Sequence, residues 1–150
     1  MTPQSPEVSS LAMAMAASYG RLAGHDLVEG SNIAAAMYSS VDVLLCHDGS
    51  EDPRFVYANQ VAQYVFERPW SEFVGMPSRL SAAVDVQAER GKLIAQATES
   101  GYVTGYSGIR VSSSGSKFRI LDATLWRVTD EKGEVLGLAC RIPRWEYEDV

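Results

Sequence analysis

The stretch YSGIRVSSSGSKFRI, residues 106–120, decides how the second half of the chain is read. Two runs of alternating residues flank the Ser/Gly cluster SSSGS, which is the pattern of a β-hairpin. Side chains on a strand alternate with period two. Ile109 and Val111 therefore share one face, as do Phe118, Ile120 and Trp126 on the second strand. Pairing Ser113 with Ser116 across Ser114-Gly115 buries these sets together. In that register Ile109 faces Ile120, Val111 faces Phe118 and Ser107 faces Asp122. Arg110 is left opposite Arg119 on the other face, and directly opposed like charges are destabilising. The expectation is two guanidiniums screened by water, or an acidic cover. The tail supplies Glu146, Glu148, Asp149 and the terminal carboxylate; a partner protein or a second subunit is the alternative. Tyr106 lies four positions before Arg110, so Tyr106, Arg110 and Arg119 form a candidate docking surface on the outer face.

The same parity places Asp122 inward, beside Phe118, Ile120 and Trp126. A buried carboxylate must be paired or hydrogen-bonded. Ser107 can serve it, or Asp122 can hold a ligand amine or hydroxyl between sheet and helices. Arg79, in MPSRL, can bind a ligand carboxylate bidentately or pair with Asp122 or Asp85. The candidate pocket is thus Arg79, Ser107, Ile109, Phe118, Ile120, Asp122 and Trp126.

Outward from the hairpin, the chain reads as one α+β domain. Residues 1–7 contain two prolines and are expected to fray; the domain spans 8–145, and 146–150 form an acidic tail. Leu11, Met15, Tyr19 and Leu22 recur at helical spacing over 9–22, with Gly24 to close the helix. A short helix follows at NIAAAMYSS, with Asn32 or Ser31 as cap. VDVLLCH and RFVYAN are strands joined by the turn DGSEDP. At Asn59 the period changes to that of a helix, with Asn59 as its cap. Pro77 breaks the stretch around Trp70, Phe73 and Val74. A longer helix runs from Ser81 to Ser100, with Val86, Arg90, Leu93, Ile94 and Ala97 close to one side, and Gly101 stops it. After the hairpin, TDEKGE is a turn and VLGLACRI the last strand. Short turns make these strands antiparallel, in one sheet of about five. The middle helices cover its inner face. The outer face carries Leu121, Leu125 and Ala139, for which the N-terminal helix is the obvious cover and a second subunit the alternative.

Composition bounds the function. The 150 residues carry a net charge of −6, which argues against a non-specific nucleic-acid surface. No window reads as a membrane span or a basic-led targeting segment, so the expected compartment is the cytoplasm and Cys46 and Cys140 are expected to be reduced thiols. His25 and His47 stand outside any metal-ligand spacing. Residues 59–100 contain no His to ligate a haem and no Cys to form a flavin adduct, and no cofactor is assigned.

Two strands, a run of short helices and three antiparallel strands is the order of a PAS domain. The segment FVYANQVAQYVFERPWSEFVGMP resembles the corresponding PAS segment. With HDGSEDPRFVYAN, PSRLSA, YSGIRVSSSGSKFRI and ATLWRVTDEKGEVLGLAC, the chain resembles the PAS-related MEKHLA domain family over roughly residues 8–145. That family includes small stand-alone bacterial proteins. Cys46, in CHDG, departs from the Ser the resemblance implies before the His. The resemblance implies a PAS-like sensory or protein-interaction module and supplies no ligand. Two rival readings stand beside it. One is a small cone-shaped α+β enzyme with Asp122 as general base. The other is a ligand-free oligomerisation module whose core is filled by three Trp, seven Tyr and four Phe.

Overall fold

Runs rich in β-branched and aromatic residues form one antiparallel sheet in the computed structural model, which describes residues 1–148. The chain order is α1 (Pro6–Ala23), α2 (Ile33–Tyr38), β1 (Val43–Asp48), β2 (Phe55–Ala58), α3 (Gln60–Phe66), α4 (Trp70–Phe73), two 3₁₀ turns (Ser78–Ser81 and Val84–Val86), α5 (Gln87–Ser100), β3 (Tyr102–Val111), β4 (Lys117–Thr129), β5 (Val135–Ile142) and β6 (Arg144–Tyr147). The strands lie in the order β2-β1-β5-β4-β3, and β6 pairs with the first part of β4.

Most boundaries follow local chemistry. Asn32 accepts from Ala35 N at 3.1 Å and Asn59 from Ala62 N at 3.2 Å, so both cap their helices. The first helix starts at Pro6 rather than Ser9, because a proline in the first turn lacks only an N–H that would have no partner there. The helix expected from Ser81 is α-helical only from Gln87. Ser81 Oγ donates to Ser78 O at 2.7 Å, a local bond that competes with helix continuation. Residues 144–147, which straddle the expected boundary between the domain and its acidic tail, form β6 just after Pro143.

The hairpin register differs from expectation by one residue. Gly108 pairs with Ile120, Ile109 with Arg119, Arg110 with Phe118 and Val111 with Lys117. The loop has three residues, not two: Ser112 N donates to Ser116 O at 2.9 Å, and Gly115 sits left-handed at φ 88. A residue remote in sequence sets this. Glu67, the C-cap of α3, accepts from Ser112 Oγ at 2.6 Å and Ser114 Oγ at 2.7 Å through its carboxylate, and its carbonyl accepts from Ser113 Oγ at 2.5 Å.

A second irregularity overturns the parity argument. Gly108 pairs with Ile120 but Tyr106 with Ala123, so two residues of β4, Leu121 and Asp122, oppose the single Ser107. Asp122 takes φ 54 in this bulge. Everything beyond it changes face. Phe118 and Ile120 point inward, then Ala123 and Leu125; Trp126 and Val128 point outward.

The outer face is covered by α1 as expected. Val8, Ala12, Met15 and Tyr19 pack on Leu44, Cys46, Trp126, Val128 and Ala139. Trp126 Nε1 donates to Met15 O at 3.0 Å, and its ring meets Tyr19 edge-on at 4.9 Å. Arg141 fastens the layer, donating to Asp42 at 2.8 Å and Tyr19 OH at 3.0 Å. Leu125, expected outside, instead joins Leu93, Ala97 and Leu138 under α5. Leu45 pairs with Cys140, and Cys46 with Ala139. The two thiols therefore lie on opposite faces of the sheet and remain free.

Candidate ligand pocket

Between the inner face and α5 lies a cavity of about 50 Å³. Leu45, Phe66, Leu93, Ile120, Leu125 and Leu138 give it apolar walls, and His47, Arg90, Tyr106 and Arg110 bring polar groups to it. Three elements supply these polar groups: β1 for His47, α5 for Arg90, and β3 for Tyr106 and Arg110, with Ser78 of the first 3₁₀ turn behind them.

Each polar group arrives for a local reason. Arg90 lies one turn before Leu93 and Ile94 on the apolar side of α5, so the helix that buries those leucine and isoleucine side chains buries the guanidinium too; Arg90 is 9 % exposed. Arg110 shares the inward parity of Gly108 in the observed register and is 7 % exposed. Gly108 makes room for the intervening aromatic, since a Cβ there would collide with the Tyr106 hydroxyl.

A hydrogen-bond chain orders one wall. Arg90 Nη2 donates to Ser78 Oγ at 2.7 Å, and Ser78 Oγ lies 3.0 Å from His47 Nδ1. With one lone pair taken by the arginine, the serine hydroxyl keeps a proton and a second lone pair, so it can pair with Nδ1 in either tautomer of a neutral His47. Burial, then the nearby Arg90 charge, pushes the His47 pKa down to about 4. Burial, then Arg110, brings Arg90 down to about 10. Arg110 Nη1 donates to Ile109 O at 2.7 Å, its Nη2 to Tyr106 OH at 3.4 Å, and its guanidinium stands 5.5 Å from the Tyr106 ring centre. Tyr106 OH in turn donates to the exposed Glu89 at 3.4 Å. Among the described residues the ion pairs are Arg79–Asp52, Arg119–Glu148, Arg141–Asp42 and Arg144–Asp122, and none includes Arg90 or Arg110. Burial pushes the Cys140 thiol up to about 12 although both arginines oppose the shift, so it stays protonated.

Of the residues expected to form a pocket, Ile120 lines this cavity and Phe118 lies in the core beside it. The others stand elsewhere. Arg79 is exposed and pairs with Asp52 at 3.2 Å. Ser107 is exposed at the bulge, and Ile109 points away opposite Arg119. Asp122 is exposed and paired with Arg144, so the buried carboxylate required of a general base is not there. Trp126 lies under α1. The expected outer surface also divides. Tyr106 and Arg110 turn inward, while Arg119 stays outside, 3.6 Å from Glu148 and cross-strand from Glu146. The acidic cover is thus the chain's own last strand and Glu148; Asp149 and the terminal carboxylate lie outside the described residues. Arg90 and His47 were missed as site residues. The available signal was an arginine on the apolar side of a helix, which is costly unless something meets its charge.

We expect the ligand-free Arg110→Met variant to be more stable than the parent by about 1–2 kcal/mol, because it removes a buried, unpaired like charge. For a chain of this size that is a melting temperature roughly 2–8 °C higher. A drop in melting temperature would instead make Arg110 a structural residue.

The family model described as the MEKHLA domain matches residues 9–147. The chain belongs to the MEKHLA domain family. No curated protein matches its sequence. Three solved structures share the fold of this MEKHLA domain. A PAS domain of a protein from Colwellia psychrerythraea is 14 % identical, with TM-score 0.63 over 78 % of this chain and 92 % of its own. A light-oxygen-voltage domain studied with a flavin analogue is 16 % identical, with TM-score 0.62 over 79 % of this chain and 86 % of its own. An RNA-binding light-oxygen-voltage receptor is 20 % identical, with TM-score 0.62 over 71 % of this chain and 30 % of the receptor. The MEKHLA domain is accordingly a PAS-like α+β domain. A flavin does not fit it as it stands. Pockets enclosing ligands of that size run to roughly 300–1,000 Å³, several times the cavity between this sheet and α5. No helix among the described residues is long and apolar enough to cross a membrane.

Proposed function

We propose that this MEKHLA domain is a non-enzymatic, cytoplasmic sensory module that binds a small organic ligand between its sheet and α5 and signals through a partner protein or a second copy. The observation behind the reading is the cavity under α5, toward which buried polar side chains of β1, α5 and β3 converge. A chain built only to fill its core would place leucine where Arg90 and Arg110 stand.

The sheet offers a short route from pocket to surface. Leu125 faces the cavity while its neighbour Trp126 holds α1; Cys140 faces the cavity while Ala139 packs against α1. A ligand that prefers one packing of these strands shifts the population of the α1 packings by its differential affinity. The expected result is a discrete added mass in native mass spectrometry of the protein as purified, lost after unfolding and dialysis. The stripped, refolded protein should then exchange amide hydrogens faster in both Gln87–Ser100 and Pro6–Ala23. A mass-exact chain whose exchange is unchanged by the same treatment would count against this reading.

A further inference from the structure

Two guanidiniums more than nine-tenths buried line one small cavity without a carboxylate in ion-pair reach among the described residues. Each guanidinium carries five N–H donors. The bonds they make here are Arg90 to Ser78 Oγ, and Arg110 to Ile109 O and to Tyr106 OH. Most of the donors are left without a protein acceptor among the described residues, and both side chains line the cavity. Buried charges are ordinarily paired, and a buried pair of like charges is costlier still. Glu89 reaches only the far side of the Tyr106 hydroxyl.

We propose that the pocket takes a short-chain organic carboxylate, its carboxylate between Arg90 and Arg110 and its carbon body against Leu45, Leu93 and Leu125. This rests on the sensory reading above and names its ligand class. A carboxylate supplies the missing negative charge and two oxygens that match the planar guanidinium fork. The apolar walls favour a carbon body over an all-round hydrated anion such as phosphate, which needs donors on every side. The volume of about 50 Å³ leaves room for a headgroup and a few carbons. His47, buried with Arg90 just behind Ser78, is neutral and adds no third positive charge.

The test uses the full chain and three probes at constant ionic strength: sodium propionate, its neutral isostere propionamide, and sodium phosphate. Propionate is expected to raise the melting temperature and to shift the backbone amide resonances of Arg90, Leu93, Arg110, Leu125 and Cys140. Arg90→Gln and Arg110→Gln should each weaken propionate at least tenfold. Arg90→Lys and Arg110→Lys keep the charge but lose the fork, and should bind several-fold more weakly than the parent. The lysine variants also serve if a glutamine variant fails to fold. If propionamide moves the same amides as strongly as propionate, the pocket stands and the anionic ligand falls. If phosphate binds there and propionate does not, the organic carboxylate falls. If no probe moves a lining amide, the pocket reading falls with it.

Discussion

Asn59→Ala is expected to cost about 4–5 kcal/mol and to lower the melting temperature by roughly 10–20 °C. Asn59 is fully buried where β2 ends and α3 begins. Its Oδ1 accepts from Leu44 N at 3.0 Å and Ala62 N at 3.2 Å, and its Nδ2 donates to Met37 O at 3.0 Å and Asp42 O at 2.8 Å. The amide therefore joins α2, β1 and α3 at one point. Removing it deprives one helix of its cap, worth about 1 kcal/mol, and strands backbone groups that cost about 1–3 kcal/mol each when buried and unpaired. Against a typical domain stability of about 5–15 kcal/mol, the variant would be close to unfolding. Asn59→Asp should be worse still at neutral pH, because a carboxylate would face the carbonyls of Met37 and Asp42. Urea unfolding measures both. A loss below about 1 kcal/mol for the alanine variant would show that water replaces the amide.

Acidification should remove about 3 kcal/mol of stability through His47 alone. Its folded pKa is about 4 against an ordinary 6.5. Between these values the unfolded chain binds a proton that the folded chain refuses, so stability falls as pH falls from about 6.5 to about 4. The full difference is about 2.5 pK steps at 1.36 kcal/mol each. Asp48 opposes the shift weakly, and Arg90, behind Ser78, reinforces it. Carboxylates with depressed pKa values, Asp48 and Glu67 among them, also lose stabilisation toward lower pH. The comparison must therefore be between parent and His47→Gln. The variant should lose about 3 kcal/mol less than the parent between pH 7 and pH 4. Parallel stability curves would mean that His47 takes up its proton without resistance.

Much of the fold was readable because it rests on local chemistry. The caps Asn32 and Asn59, the stops Gly24 and Gly101, the turn at Asp130–Glu134 and the apolar stripe of α1 all act within a few residues. Period-two and helical patterns survive inspection because burial acts on every residue of an element at once. The expected site failed at Asp122. Face assignment along β4 assumed an unbroken pleat, and one residue at φ 54 moved Trp126 outward and Leu125 inward.

What the amino-acid order determined by itself was the kind and sequence of elements as far as β5, and with them the PAS-like sheet covered by α1 on one face and by helices on the other. The tertiary structure decided register and facing. Glu67, 45 residues before Ser112, holds the hairpin loop and thereby sets Arg110 against Phe118 rather than Arg119. That single step sends Arg110 into the cavity with Arg90 and leaves Arg119 to the strand that carries Glu146 and Glu148. The backbone bonds of a hairpin re-form in either register, and here the local apolar pattern favours the other one, so the contacts of Glu67 from elsewhere in the fold decide between the two.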